Sequence, residues 1–238
     1  MRDTVYQQDT NQTDIVDFAF TEEVAAVFPD MIRRSVPGYE TMVPVTGLMA
    51  ARAAGDRGLV YDLGCSLGAT SLAVLTQNTS QHLRVIGVDN APAMIEGARA
   101  AIADSRAEFQ LGDVMDTAVQ DADVVIFNLV LQFLKPTDRL PLLRRIQQQM
   151  RPGGLILVSE KVTHDDDSLG AFYDNTHLAW KQANGYSALE VSAKRTALEN
   201  VMRIDTEQDH EARLQEAGFS NIRQWYRCLN WASFAATA

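Results

Sequence analysis

The chain has 238 residues, 46% hydrophobic, 8% aromatic and 22% charged, an ordinary globular composition that excludes disordered, collagenous and disulfide-scaffold classes. With 21 basic against 31 acidic residues the formal net charge is −10, which argues against a stand-alone tRNA or DNA binder, since such proteins carry a basic face. Two cysteines, Cys65 and Cys228, give neither a disulfide framework nor a zinc spacing, no apolar run is long enough to span a membrane, and the polar N-terminus MRDTVYQQDTNQTD is no secretory signal, so a cytoplasmic protein is expected.

In chain order, residues 1–17 are polar and expected to fray, and a flexible segment over 1–20 is followed by one domain over 21–238. Val24, Val27, Phe28, Met31 and Ile32 recur at helical spacing after Thr21, and Pro37-Gly38 stops that helix. A second helix is predicted over 39–54, completing an N-terminal helical extension. An alternation then begins: strand 59–64, helix 67–78, strand 83–89, a helix from Pro92 to about Asp104, strand 107–113, strand 122–128, helix 137–150 and strand 155–160. Pro92 suits the first turn of its helix, and the apolar run 122–128 suits a strand covered on both faces. Such alternation implies βαβ units and a parallel sheet. Residues 161–206 interrupt it with an acidic loop, His164 to Asp167, and a helix-like stretch from Leu189 to Met202; they read as an insertion or lid. A helix over 207–217 ends at Gly218. Strands 219–228 and 230–236 follow with almost no linker, which demands an antiparallel hairpin.

Chemistry concentrates at the ends of the predicted strands. VYDLGCSLG (60–68) is a strand, a Gly-rich turn and a helix start, an arrangement that brings backbone and free N–H groups to a ligand. A dinucleotide fingerprint fits Gly64 and Ala69, an S-adenosyl-L-methionine site fits Gly64 and Gly68, and Ser66 departs from both, so the turn alone leaves the choice open. Asp89 ends the second strand, where a carboxylate can accept from both ribose hydroxyls; capping the helix at Pro92 is its alternative role. Asp113 and Val114 end the third strand and Asn128 the fourth. The acidic loop at His164 reads as a solvated loop rather than a metal site, and His82, His177 and His210 lack metal-ligand spacing, so no metal is expected. Cys65 has no visible base to activate it. The terminal hairpin favours a Rossmann-like class I methyltransferase fold: a mostly parallel seven-stranded sheet with an antiparallel C-terminal strand.

Several longer segments carry a more specific resemblance: VAAVFPDMIRRSVPGY (24–39), VYDLGCSLGATSL (60–72), VDNAPAMIE (88–96), NLVLQFL (128–134), NGYSALEVSAKRTALENVM (184–202) and HEARLQEAGF (210–219). In these the chain resembles the carboxy-S-adenosyl-L-methionine synthases, an offshoot of the class I methyltransferases, and Ser66 agrees with that family's own turn. The resemblance implies that S-adenosyl-L-methionine and prephenate become carboxy-S-adenosyl-L-methionine and phenylpyruvate. Prephenate loses carbon dioxide and water, and the cofactor's methyl group, deprotonated to an ylide, captures the carbon dioxide. A tRNA carboxymethyltransferase then consumes the product at the wobble uridine, so the synthase itself need not bind nucleic acid or membrane. By resemblance, Tyr39, Gly64, Cys65, Ser66, Asp89, Asn90, Asp113, Val114 and Asn128 contact the cofactor. Arg195 pairs with the added carboxylate, reaching from the neighbouring subunit of a homodimer. Apart from the resemblance, Arg34 is a candidate for the prephenate dianion because RSVPGY leads to the site, with a surface role as an equal alternative. An ordinary small-molecule methyltransferase and a catalytically silent cofactor-binding subunit are the competing readings, and Arg195 is the residue that separates the first of these.

Overall fold

The structure, a computed structural model, describes Asp3, residues 20–187 and residues 201–238. Helix α1 (Glu22–Ser35) starts where Thr21 accepts from the Val24 N–H, carries Glu22 and Glu23 in its first turn and ends with Arg33 and Arg34, charges that complement the helix dipole. Val24, Val27 and Met31 pack against Ala91 and Met94. Helix α2 (Tyr39–Ala54) follows a turn at Gly38, whose φ is +75°. A Cβ at Gly38 would lie 1.7 Å from the Tyr226 hydroxyl, so both the backbone angle and the space require glycine. Asp3 is buried; its N–H donates to Asp30 and its carboxylate accepts from Tyr186. The expectation of a frayed terminus therefore does not hold at this residue.

The alternation resolves into β1 (Leu59–Leu63), α3 (Ala69–Gln77), β2 (Arg84–Asp89), α4 (Pro92–Ala101), β3 (Ala107–Leu111), β4 (Val124–Asn128), α5 (Pro136–Gln149) and β5 (Leu155–Thr163). After them come α6 (Asp167–Ala183), β6 (Asp205–Thr206), α7 (Glu207–Glu216), β7 (Ser220–Cys228) and β8 (Trp231–Thr237). The sheet order is β3-β2-β1-β4-β5-β8-β7, with the two-residue β6 paired to the end of β5. β1 to β5 run parallel, and β8 is antiparallel to both β5 and β7. This is the class I methyltransferase layout expected from the terminal hairpin.

Alternate residues of β4 feed opposite sides of the sheet. Val125 and Phe127 join Leu142, Leu143 and Ile146 of α5 and Leu214 of α7. Val124 and Ile126 join Ala50 of α2, Val74 of α3 and Ile95 of α4. With both faces covered, the ligand-accessible edge of a parallel sheet is the crevice beyond its strand C-termini. Two residues at that edge, Ser66 and Leu129, have φ of +50° and +64°, conformations that non-glycine residues hold only when their surroundings enforce them.

The 161–206 region departs from expectation. β5 runs on to Thr163, and residues 167–183 are a 17-residue helix, α6. Asp166 caps it, accepting from the Ser168 and Leu169 N–H groups at 2.8 and 3.0 Å, so this part of the acidic loop is a helix start. Apolar periodicity in α6 points away from the cavity: Leu169, Phe172 and Trp180 stand at i, i+3 and i+11 on one exposed face, while the buried residues are His177 and Lys181. The helix-like stretch 189–202, up to its last two residues, lies outside the described residues. The chain returns through Asp205, which receives the guanidinium groups of Arg139 and Arg213. Arg139, fully buried, also donates to the carbonyls of Leu134 and Arg203.

Candidate active site

A cavity of about 810 Å³ opens at the C-terminal ends of the parallel strands. Tyr39, Gly64, Cys65, Ser66, Asp89, Asn90, Asp113, Val114 and Asn128 all line it. Strand order brings eight of these together and the start of α2 adds Tyr39, so nine residues spread over ninety positions meet at one cavity. Arg195, the tenth candidate, lies outside the described residues.

The turn after β1 is held from below. The Gly64 and Cys65 N–H groups donate to the Val88 carbonyl at 2.7 and 2.9 Å, and the Ser66 N–H donates to Asp89 Oδ2 at 2.9 Å. A Cβ at Gly64 would fall 2.4 Å from Val130, and the φ of +76° adds to that constraint. Asp89 Oδ1 accepts from the Ala91 N–H at 2.9 Å. Asp89 is therefore both a local anchor, tying β2 to the β1 turn and to the start of α4, and a cavity residue. Its carboxylate oxygens each retain a lone pair for a further donor. Asp113 makes the corresponding turn at β3, accepting from the Met115 N–H at 2.8 Å. Asn128 donates to Thr70 Oγ1 at 3.0 Å, while its buried Oδ1 has no hydrogen-bond partner among the described residues. A buried acceptor left open on a cavity wall calls for a ligand donor such as an ammonium or hydroxyl.

Burial sets the titration of this wall. It raises Asp89, against the opposing pull of the Ala91 and Ser66 N–H groups. It pushes Asp62, beneath the turn, up to about 6 despite the hydroxyl of Ser71 at 2.7 Å. Tyr39 rises to about 12 through burial and the nearby Asp62. The Cys65 thiol is also pushed up, by burial and then by Asp62 and Asp89, so a thiolate nucleophile is disfavoured there, in line with the missing base.

The far wall was not read from the sequence. Lys161 ends the pairing of β5 with β8, opposite Trp231, and Asp174, His177, Leu178 and Lys181 face the same cavity from α6. Those four stand at i, i+3, i+4 and i+7, one stripe of a helix; the signal was present, but in polar rather than apolar residues. His177 Nε2 contacts the Ser35 carbonyl at 2.8 Å, which requires the N–H on that nitrogen, and its ring meets Trp231 edge-on at 4.7 Å. Between the two walls runs the 129–134 segment. Glu160 fixes it by accepting the N–H groups of Val130, Leu131 and Gln132 at 3.0, 2.7 and 3.2 Å. Burial pushes Glu160 up to about 7, while those N–H groups and Arg139 pull it back. Arg34 does not line the cavity. It donates to the Asn184 carbonyl at 2.7 Å and lies 3.9 Å over the Tyr186 ring, joining α1 to the end of α6.

A family model described as a methyltransferase domain matches residues 60–154. The fold is similar to that of an O-methyltransferase family protein from Burkholderia thailandensis, with a TM-score of 0.68 and 18% identity over 94% of this chain and 65% of that one. It is also similar to human N-acetylserotonin methyltransferase solved with S-adenosyl-L-methionine, with a TM-score of 0.63 and 18% identity over 91% of this chain and 55% of that one. This chain spans just over half of the human one, and at these identities the likeness concerns the fold. Sequence relatives decide the family. Carboxy-S-adenosyl-L-methionine synthase from Shewanella oneidensis is 44% identical over 99% of this chain and 98% of its own. The Photorhabdus laumondii protein of the same name is 43% identical over 92% and 89%. The chain belongs to the carboxy-S-adenosyl-L-methionine synthase family. These matches extend beyond residues 60–154 over nearly the whole chain. The strand-end wall offers a buried carboxylate, a glycine turn and an open amide oxygen.

Proposed function

We propose that the protein converts S-adenosyl-L-methionine and prephenate to carboxy-S-adenosyl-L-methionine and phenylpyruvate. The supporting observation is the gathering of nine dispersed residues, from Tyr39 to Asn128, at one cavity in a member of this family. In this reading Asp89 and Asn90 hold the ribose and adenine side, and Asp113 and Val114 the adenine edge. The turn Gly64 to Ser66 holds the methionine portion, with Asn128 Oδ1 accepting from its ammonium. Prephenate gives up its ring carboxylate as carbon dioxide and its ring hydroxyl as hydroxide. The hydroxide takes one proton of the S-methyl group and leaves as water, and the methyl carbon bonds to the carbon dioxide. Atoms and charge balance without an oxidant, a metal or an enzymic base.

The product carries one more carboxylate than S-adenosyl-L-methionine. A guanidinium offers that carboxylate a bidentate fork, which is the role proposed for Arg195, supplied from the partner subunit of a homodimer. The product would pass to a tRNA carboxymethyltransferase, so an acidic synthase need not meet RNA itself. No helix among the described residues is long and apolar enough to cross a membrane, and a cytoplasmic site of action fits a tRNA-modifying route. Mass spectrometry of the small molecule carried by the purified protein tests the reading. The expected ligand is S-adenosyl-L-methionine bearing one added carbon dioxide. Finding NAD or FAD would overturn the site assignment. Finding only S-adenosyl-L-methionine or its demethylated form after incubation with prephenate would indicate an ordinary methyltransferase.

A further inference from the structure

The order of the strands lays out the cavity like a row of seats. Reading across the strand ends, the wall passes from Asp113 after β3 to Asp89 on β2, the turn after β1, Asn128 on β4, Lys161 on β5 and Trp231 on β8. Neighbouring strands are about 4.8 Å apart, so Lys161 sits roughly 14 Å across the sheet from Asp89. The nucleoside and its amino-acid tail account for the seats from β3 to β4. The seat over β5 and β8 comes next in line from the reacting methyl group. It has different chemistry. Lys161 and the nearly buried Lys181 bring two ammonium groups, Asp174 brings one carboxylate whose Oδ1 already accepts from Asn230, and Trp231 supplies an aromatic face beside Lys161. His177 and Leu178 complete the stripe between Asp174 and Lys181. Among the described residues on this side of the cavity, two ammonium groups stand beside one carboxylate already engaged by Asn230; each ammonium group has three N–H donors, so either can hold a ligand carboxylate alongside an existing partner, and an aromatic wall suits an unsaturated ring.

We propose that Lys161 and Lys181 form the subsite for the carboxyl donor and hold the carboxylate that it keeps, the one on its α-keto acid arm. This rests on the carboxyl-transfer reading given above. The choice between the two carboxylates of the donor follows from charge. The departing carboxylate loses its charge as carbon dioxide forms, so an ammonium pair upon it would stabilise the ground state more than the transition state and slow the reaction. The retained carboxylate is charged throughout. Ammonium groups there bind substrate, transition state and phenylpyruvate product alike, which appears in KM rather than in kcat. Lys181 reaches the seat because α6 directs its 174–181 stripe inward, and Lys161 because its strand position faces Trp231.

The test uses the full-length protein, with prephenate as the varied substrate and phenylpyruvate as the inhibitor. Lys161→Met and Lys181→Met should each raise the KM for prephenate about 10- to 100-fold, and weaken competitive inhibition by phenylpyruvate by a similar factor. The affinity for S-adenosyl-L-methionine, measured by calorimetry, should not move. Lys161→Arg and Lys181→Arg should recover part of the loss, which keeps the test decisive if the buried Lys181→Met variant does not fold. Unchanged prephenate KM and phenylpyruvate inhibition, in variants whose wild-type parent makes the carboxylated nucleoside, would overturn the lysine assignment alone. A fall confined to kcat would overturn the retained-carboxylate role. A wild-type protein that makes no carboxylated nucleoside would instead overturn the reaction on which the proposal rests.

Discussion

The two walls of the cavity are built in opposite ways. The wall over β1, β2 and β3 is shaped by backbone: a glycine turn, short strand-end carboxylates tied to backbone N–H groups, and residues held at positive φ. The wall over β5, β8 and α6 is made of long side chains, Lys161, Asp174, His177 and Lys181, projected from regular elements. A ligand common to a whole superfamily can be held by backbone geometry, which changes slowly with sequence. A ligand peculiar to one family is more readily accommodated by side chains, which can be exchanged without rebuilding the turn. Under the function proposed above, the nucleoside belongs to the first wall and the carboxyl donor to the second.

That contrast can be broken by substitution. The largest effect should come from Glu160, which anchors the 129–134 segment between the walls. Glu160→Ala strands three backbone N–H groups and removes a charge from beside Arg139, and should cost about 3–5 kcal/mol of stability in urea unfolding. An unchanged unfolding midpoint would mean that the segment is fixed by its own packing. On the backbone wall, Asp89→Ala should weaken S-adenosyl-L-methionine by about 2–4 kcal/mol in calorimetry, since two ribose hydrogen bonds to a charged acceptor are lost. Thermal melting should fall as well, because the Ser66 and Ala91 N–H groups lose their acceptor. Full affinity with reduced stability would reduce Asp89 to a local anchor.

Arg195→Ala sharpens the comparison from the product side. It should weaken carboxy-S-adenosyl-L-methionine by about 2–4 kcal/mol and S-adenosyl-L-methionine much less, because only the first presents the extra carboxylate. If the arginine crosses a dimer seam, mixing Arg195→Ala subunits with Asp89→Ala subunits gives one composite site with both residues intact. Activity should return in the mixture although each parent is inactive. A silent mixture with verified subunit exchange would place Arg195 in its own subunit's site or in none.

A further effect concerns pH. Burial lifts Asp62 from the ordinary carboxylate range to about 6, so the folded state holds its proton more tightly than the unfolded chain. Its contribution to stability is complete below about pH 4 and is lost as pH rises through 6, up to about 3 kcal/mol. Asp62→Asn should remove that part of the dependence. Urea midpoints measured from pH 4 to 7 should therefore fall for the parent relative to the variant. Parallel curves would show that Asp62 ionises without cost.

The sequence disclosed the backbone wall because its signals are local. The turn 60–68 is nine consecutive residues, and Asp89, Asp113 and Asn128 each stand at a strand end. The same locality explains why α1, α2 and the terminal hairpin were legible, with boundaries that shifted by a few residues at α4 and β3. The side-chain wall was hidden for the converse reason. α6 buries polar residues toward a cavity and carries its apolar stripe, Leu169, Phe172 and Trp180, on the exposed face, so apolar periodicity there points away from the cavity. Lys161 gains meaning only from β8 beside it, seventy positions later. Arg34 misled in the other direction: its place in the RRSVPGY stretch suggested the cavity, yet it binds the end of α6.

Isotopic tracing of the transferred carboxyl group tests the central claim most directly. Prephenate carrying a heavy carbon in its ring carboxylate, incubated with the protein and unlabelled S-adenosyl-L-methionine, should yield a nucleoside product that bears that carbon in its S-carboxymethyl group, with unlabelled phenylpyruvate formed alongside. Label recovered only as free carbon dioxide or bicarbonate, with the nucleoside left as S-adenosyl-L-methionine or its demethylated form, would contradict carboxyl transfer at this site.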